Sequence, residues 1–269
     1  MEQVGIVAAD ARQRAVWEAF AAEGYETRWL TKDDAFPPIV VLPMPVSTDG
    51  VHLYGGSDRL EDWWVRLRGR TVFGGRCTPE ILAQAAQYDV RLLDHFDREE
   101  EVVLNVIPTV EGALQLAMEQ TPFTIHGSNA LVCGFGRIGK LLAHRLSALG
   151  AKVCVSARKE KDFAWCNVWG YDSVDVSALT NHIAGKHLLF NTVPHLLFDG
   201  EKLDMMRDDA LLIDLASAPG GVDFAYAAAA GKRAVQALGL PGKVAPRTAG
   251  EIICKTIIGM YKEENTLGR

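Results

Sequence analysis

Three glycines, Gly134, Gly136 and Gly139, stand directly after the apolar run Ala130-Leu131-Val132-Cys133 and constrain this chain more than any other feature. Ile138, Leu141, Leu142, Leu146 and Leu149 follow at helical spacing, and Lys152-Val153-Cys154-Val155 then reads as a second strand. A bare G-x-G-x-x-G is a weak signal; between a strand and a helix it predicts a βαβ unit built around a pyrophosphate. The first glycine permits the tight turn, the second lets backbone approach the phosphates, and the third lets helix pack on strand. The pyrophosphate is expected at the positive end of the helix, within reach of Gly134, Phe135, Gly136, Arg137, Ile138 and Gly139.

The end of the second strand indicates which dinucleotide. Acidic side chains that accept the ribose 2′-hydroxyl of NAD are absent from Ser156-Ala157-Arg158-Lys159. Ser156 and Arg158 stand there instead, and a guanidinium matches the geometry of a 2′-phosphate. NADP is therefore expected over NAD. The plainer reading is a solvated basic turn, with Glu160 and Asp162 placed to neutralise it.

A chain of 269 residues, 48% of them apolar, has material for two α/β domains of ordinary size. Its formal charge of −6 and the lack of a basic stripe argue against a nucleic-acid surface. No apolar run reaches membrane-spanning length and the start, Met1-Glu2-Gln3, lacks a cationic leader, so a cytoplasmic protein is expected. The five cysteines and seven histidines show no metal-ligand spacing, and no metal site is expected.

The first part of the chain alternates strand and helix: Val4 to Ala9, a helix capped by Asp10 and ended by Gly24, strands at Tyr25 to Leu30, Ile39 to Leu42, Thr71 to Phe73 and Val90 to Leu93, and a helix from Pro79 to Gln87 after a Thr78 cap. Asp97 to Glu101, DREEE, reads as a solvated segment. Pro108 is expected to open a helix from Thr109 to Glu119 between the halves, with Thr109, Glu111 and Gly112 in its first turn. Strands at His187 to Phe190, Ala210 to Leu215 and Ala234 to Leu238 follow, and Thr248 with Glu251 reads as the capping box of a last helix. The expectation is an α/β fold of two Rossmann-like or flavodoxin-like domains with mostly parallel sheets, joined by an inter-domain helix. Residues 1–106 form a substrate-side domain and 107–269 the NADP-binding domain, with 107–120 as the linking helix and 248–269 packing back on the first domain. A ligand cleft is expected where strand C-terminal ends converge.

Loops rich in small and hydroxyl residues end several of these strands. Asn191-Thr192-Val193-Pro194 and Leu215-Ala216-Ser217 are expected to flank nicotinamide and its ribose, although Asn, Pro and Gly also end strands for local reasons. Glu111 and Thr109 are the candidate catalytic groups; for Glu111 a favourable place near a helix N-terminus is the equal alternative.

The chain also resembles the dipicolinate synthase A-subunit family. The resemblance is carried by Ala9-Asp10-Ala11-Arg12, by 42–47 (LPMPVS), 107–112 (IPTVEG), 124–128 (TIHGS) and 134–139 (GFGRIG), and above all by 214–224 (DLASAPGGVDF) and 239–250 (GLPGKVAPRTAG), with Arg247 where a lysine is expected. It implies NADP-dependent oxidation of dihydrodipicolinate to pyridine-2,6-dicarboxylate in the mother cell of a spore-former, with a flavoprotein-like second subunit; homo-oligomers stay open. Such a reaction needs a hydride acceptor, loss of a ring proton and donors for two carboxylates. Ser47, Thr109, the Gly220-Gly221 backbone, Arg247 and Thr248 are the candidate donors, the last pair at a helix N-terminus. Two alternatives remain: a 2-hydroxyacid-dehydrogenase-like enzyme, against which the absence of any histidine from Leu211 to Lys243 counts, and a non-catalytic dinucleotide-binding regulatory protein.

Overall fold

Both halves of the chain are α/β, as the alternation of elements predicts, and the computed structural model describes residues 1–267. Two compact units are present: Met1–Asn105 together with the chain from Pro241 on, and Val106–Leu240. Residues 268 and 269, inside the range expected for the terminal helix, lie outside the described residues.

The first unit is built on five parallel strands, β1 (Gln3–Val7), β2 (Glu26–Leu30), β3 (Ile39–Val41), β4 (Thr71–Gly74) and β5 (Arg91–Asp94), in the order β2-β1-β3-β4-β5. Helices α1 (Ala11–Ala22), α2 (Leu60–Arg66), α3 (Pro79–Gln87) and α4 (Glu99–Leu104) connect them. Asp10 caps α1 by accepting the Arg12 N–H at 2.9 Å, and Thr78 caps α3. One face of the sheet packs Val40, Val72, Trp63, Trp64 and Ile81; the other packs Ile6, Val41 and Phe73 against Phe20 of α1 and Ile253 and Ile257 of the terminal helix. Burial on both faces is why these strands read as nearly continuous apolar runs.

The second unit holds α5 (Val106–Gln120) and six parallel strands, β6 (Asn129–Cys133), β7 (Lys152–Ala157), β8 (Asp172–Asp175), β9 (Leu188–Asn191), β10 (Leu211–Asp214) and β11 (Arg233–Gln236), in the order β11-β10-β9-β6-β7-β8. Helices α6 (Arg137–Ala148), α7 (Glu160–Trp169), α8 (Gly200–Asp204) and α9 (Phe224–Ala229) link them; α10 (Leu240–Val244) and α11 (Pro246–Leu267) complete the chain. The strand order reverses between β6 and β9, the switch point at which doubly wound sheets bind ligands. Strand β8, whose Asp-Ser-Val-Asp sequence has little apolar content, is the one the sequence does not signal.

Several local expectations are corrected. DREEE is not merely a solvated segment: it runs into α4, and Glu101 is wholly buried on His95. Helix α5 begins at Val106, ahead of Pro108, so Glu111 and Gly112 lie in its second turn. Helix α11 begins at Pro246, which puts Thr248 inside the helix; the capping box does not form, and Glu251 instead accepts from Arg247 Nε at 3.0 Å. Proline is suited to the first helical position because its missing N–H would lack an intrahelical partner there. Among the described residues no helix is long and apolar enough to cross a membrane.

Candidate dinucleotide site

The glycine loop between β6 and α6 separates its three glycines by physical role. Gly134 has φ +94, and a Cβ there would strike Thr192 Oγ1. A Cβ on Gly139 would fall on the Gly134 carbonyl oxygen, so its absence lets α6 approach the turn. Gly136 differs: its φ of −78 suits any residue, and a Cβ would meet nothing within 4 Å. No protein group occupies the space over it, at the helix N-terminus where an anion's oxygens bind backbone N–H groups. The residues present therefore fit a dinucleotide pyrophosphate.

Of the other loop residues, Phe135 turns its ring into the core, edge-on to Trp169 at 5.7 Å, and so offers a ligand only its backbone. Ile138 packs on the same core and Arg137 is exposed at the start of α6. Strand β7 runs two residues further than expected. Ser156 is thus a buried strand residue whose hydroxyl has no hydrogen-bond partner, on the opposite face of the sheet from Ala157, and not part of an open turn. Arg158 is the exposed basic residue, and among the described residues neither Glu160 nor Asp162 pairs with it.

Across the switch point, β9 and β10 end in a buried network that sequence reasoning did not find. Asn191 and Asp214 are both fully buried. Asn191 Nδ2 donates to Asp214 Oδ1 at 2.8 Å and to the Val193 carbonyl at 3.0 Å, while its Oδ1 accepts the Val193 N–H at 3.1 Å. Asp214 also accepts the N–H groups of Ala216 (3.1 Å) and Gly221 (2.9 Å). Thr192 Oγ1 donates to the Cys133 carbonyl at 2.8 Å. Asn191 and Thr192 therefore shape the edge of the site instead of presenting free polar groups. Val193 is half-buried, Pro194 and Ser217 are exposed, and Leu215 and Ala216 are buried. An acid ending an apolar run, Leu211-Leu212-Ile213-Asp214, was the available signal for this network.

The candidate carboxylate donors are mostly committed within the fold. The Gly221 N–H goes to Asp214 and the Gly220 N–H to the Ser217 carbonyl at 2.9 Å, so this backbone is not a free pair of donors. Ser47 Oγ donates to Asp49 at 3.0 Å and accepts the Gly50 N–H at 3.0 Å. Hydrogen bonds from His52 hold the Asp49 carboxyl well below the usual range. Arg247 is a surface ion-pair partner of Glu251, its side chain 88% exposed. Thr109 is half-buried and Glu111 exposed on α5. Burial raises the thiols of Cys133, Cys154, Cys166 and Cys254, so these cysteines are packing groups and not nucleophiles.

Residues 109–240, from Thr109 on α5 through the last strand of the second unit, match the family described as D-isomer specific 2-hydroxyacid dehydrogenase, NAD binding domain. The dipicolinate synthase A subunit of Bacillus subtilis (strain 168) is 38% identical over 192 residues, 71% of this chain and 65% of that protein. The chain is a relative of the dipicolinate synthase A subunits. The crystal structure of the corresponding protein from Bacillus halodurans superposes with a TM-score of 0.88 at 27% identity, covering 97% of each chain. That from Bacillus subtilis gives 0.86 at 29% identity, over 98% of this chain and 97% of the other. The alignment with the curated relative thus spans just under two thirds of that protein's length, whereas the structural matches run nearly end to end. These relationships establish a dehydrogenase-like chain with a nicotinamide-dinucleotide-binding domain.

Proposed function

We propose that this chain is the dinucleotide-binding A subunit of a dipicolinate synthase, oxidising dihydrodipicolinate to pyridine-2,6-dicarboxylate with NADP⁺. A flavoprotein-like B subunit is its partner, and the cytoplasm of the mother cell in a sporulating bacterium is its setting. The observation that carries the reading is the open approach over Gly136, framed by Gly134 and Gly139, in a chain 38% identical to a dipicolinate synthase A subunit.

When bound, the nicotinamide accepts the hydride; the substrate gives up that hydride and one ring proton. The Gly136-to-Gly139 turn seats the pyrophosphate, and Arg158 at the end of β7 pairs with a 2′-phosphate. Thr192, Val193, Leu215, Ala216 and Ser217 border the nicotinamide end, with Asn191 and Asp214 behind them holding two loops in place. Glu111 is the proposed proton acceptor and Thr109 a donor to substrate. A 2-hydroxyacid dehydrogenase is less well supported, since Leu211 to Lys243 contains no histidine to serve as its acid.

The test is turnover of freshly generated dihydrodipicolinate, followed by the ultraviolet absorbance of the product, with this chain by itself, with the B subunit by itself and with both. NADP⁺-dependent formation that requires this chain is expected. Formation at full rate by the B subunit without this chain reduces the chain to a scaffold.

A further inference from the structure

The C-terminal edge of the first unit's sheet gathers cations that the dinucleotide site does not use. Arg12 lies in the first turn of α1 with its side chain 16% exposed, and its Nε and Nη2 donate to Asp10. Nη1 has no protein partner among the described residues. A Cβ on Gly242 would sit 2.7 Å from Arg12 Cδ and 2.8 Å from Nε, so the chain at Gly242 rests directly on this side chain.

Arg76 follows β4 in a left-handed conformation, φ +53, which side chains other than Gly, Asn and Asp seldom adopt. Asp94 clamps the turn, accepting the Arg76 N–H at 3.0 Å and the Cys77 N–H at 2.6 Å. The guanidinium lies 4.8 Å from the centre of the Phe96 ring and, among the described residues, forms no ion pair. Its packing and then the charge of Arg12 hold its pKa below the ordinary arginine value, so the two cations are electrostatic neighbours. Behind the turn, buried His95 meets both Glu101 oxygens at 2.9 Å through Nδ1. A Cβ on Gly75 would lie 2.6 Å from His95 Cε1, so the imidazole packs directly on the backbone that presents Arg76.

Like charges repel, and strained backbone persists only where its surroundings impose it. A strained turn that brings a second guanidinium near the first, with no carboxylate bound to it, is arranged for an anion from outside the chain. We propose that Arg12 and Arg76 form a two-point seat for a small dicarboxylate, with His95 and Glu101 as positioning residues. The identity of that dicarboxylate rests on the function proposed above; the seat itself does not.

Calorimetry on the full chain tests it with three stable probes: pyridine-2,6-dicarboxylate, benzene-1,3-dicarboxylate and pyridine-2-carboxylate. Both dicarboxylates are expected to bind about tenfold or more tightly than the monocarboxylate, the scale of one charge-assisted contact. Arg12→Gln and Arg76→Gln should each weaken the dicarboxylates by about tenfold or more and leave NADP⁺ affinity unchanged. Arg76→Gly is the decisive variant, because glycine relieves the positive φ while deleting the guanidinium: melting temperature should hold or rise as dicarboxylate affinity falls. Wild-type affinity in Arg76→Gly, or no preference for two carboxylates over one, overturns the seat. Retained, arginine-dependent binding of benzene-1,3-dicarboxylate without turnover of dihydrodipicolinate would leave the seat standing and reject only the proposed reaction.

Discussion

Gly136→Ala and Gly139→Ala should separate binding from folding within one turn of chain. At Gly136 the backbone (φ −78, ψ −160) suits alanine and the new methyl meets no protein atom within 4 Å. Alanine is a poorer N-cap than glycine by about 0.5–1 kcal/mol, and the reduced freedom of the unfolded chain returns about 0.4–1 kcal/mol. The two nearly cancel, so a stability change within about 0.5 kcal/mol is expected. The methyl does stand where a phosphate approaches the helix N-terminus. Losing one charge-assisted contact costs about 1.5–3 kcal/mol, a roughly ten- to hundredfold loss of dinucleotide affinity. At Gly139 the same methyl collides with the Gly134 carbonyl, and overpacking of that kind costs about 1–3 kcal/mol. Thermal unfolding and NADP⁺ calorimetry on both variants read the contrast. Wild-type affinity in Gly136→Ala, or equal destabilisation of the two, would refute the assignment of the open space to a pyrophosphate.

Asp214→Asn turns an amide N–H₂ toward one of three buried donors; a loss on the order of 2–3 kcal/mol is expected, read as faster hydrogen exchange in residues 211–221, and unchanged protection would remove the network from its structural role. Arg158→Ala should weaken NADP⁺ by about ten- to a hundredfold and NAD⁺ hardly at all, by calorimetry; equal wild-type affinities for the two cofactors would reject the 2′-phosphate reading. Burial pushes the thiol of Cys166 up to about 11 and that of Cys254 up to about 12. Unfolded thiols ionise near ~8.5, so these groups stabilise the fold fully below that pH and lose the contribution as pH rises toward their folded values. The urea midpoint should fall between about pH 8.5 and about pH 10.5, and a flat profile would contradict it.

The dinucleotide unit was legible because its signals are local. A strand, three glycines and an apolar helix stripe specify one turn, and Gly134, Gly136 and Gly139 mark it within six residues. Strand order follows from alternating elements and right-handed crossovers, so the parallel character of both sheets was also available from sequence. Helix starts were harder. Pro108 and Thr248 both look like N-terminal signals, yet α5 begins two residues before the one and α11 begins at Pro246, where the neighbouring packing and not the local motif sets the boundary.

What only the tertiary structure decided is which polar groups are buried together. Glu101 sits in an acidic run that composition assigns to solvent, but folding turns this one carboxylate inward onto His95, six residues away, and leaves Glu100 exposed at the surface. Asp214 meets Asn191 from 23 residues away, and Arg12 comes to share one sheet edge with Arg76 from the ends of separate strands. Sequence spacing encodes periodicity along a single element. It does not encode which side chains converge at the ends of strands paired far apart in the chain, and that convergence is where the chemistry of this fold resides.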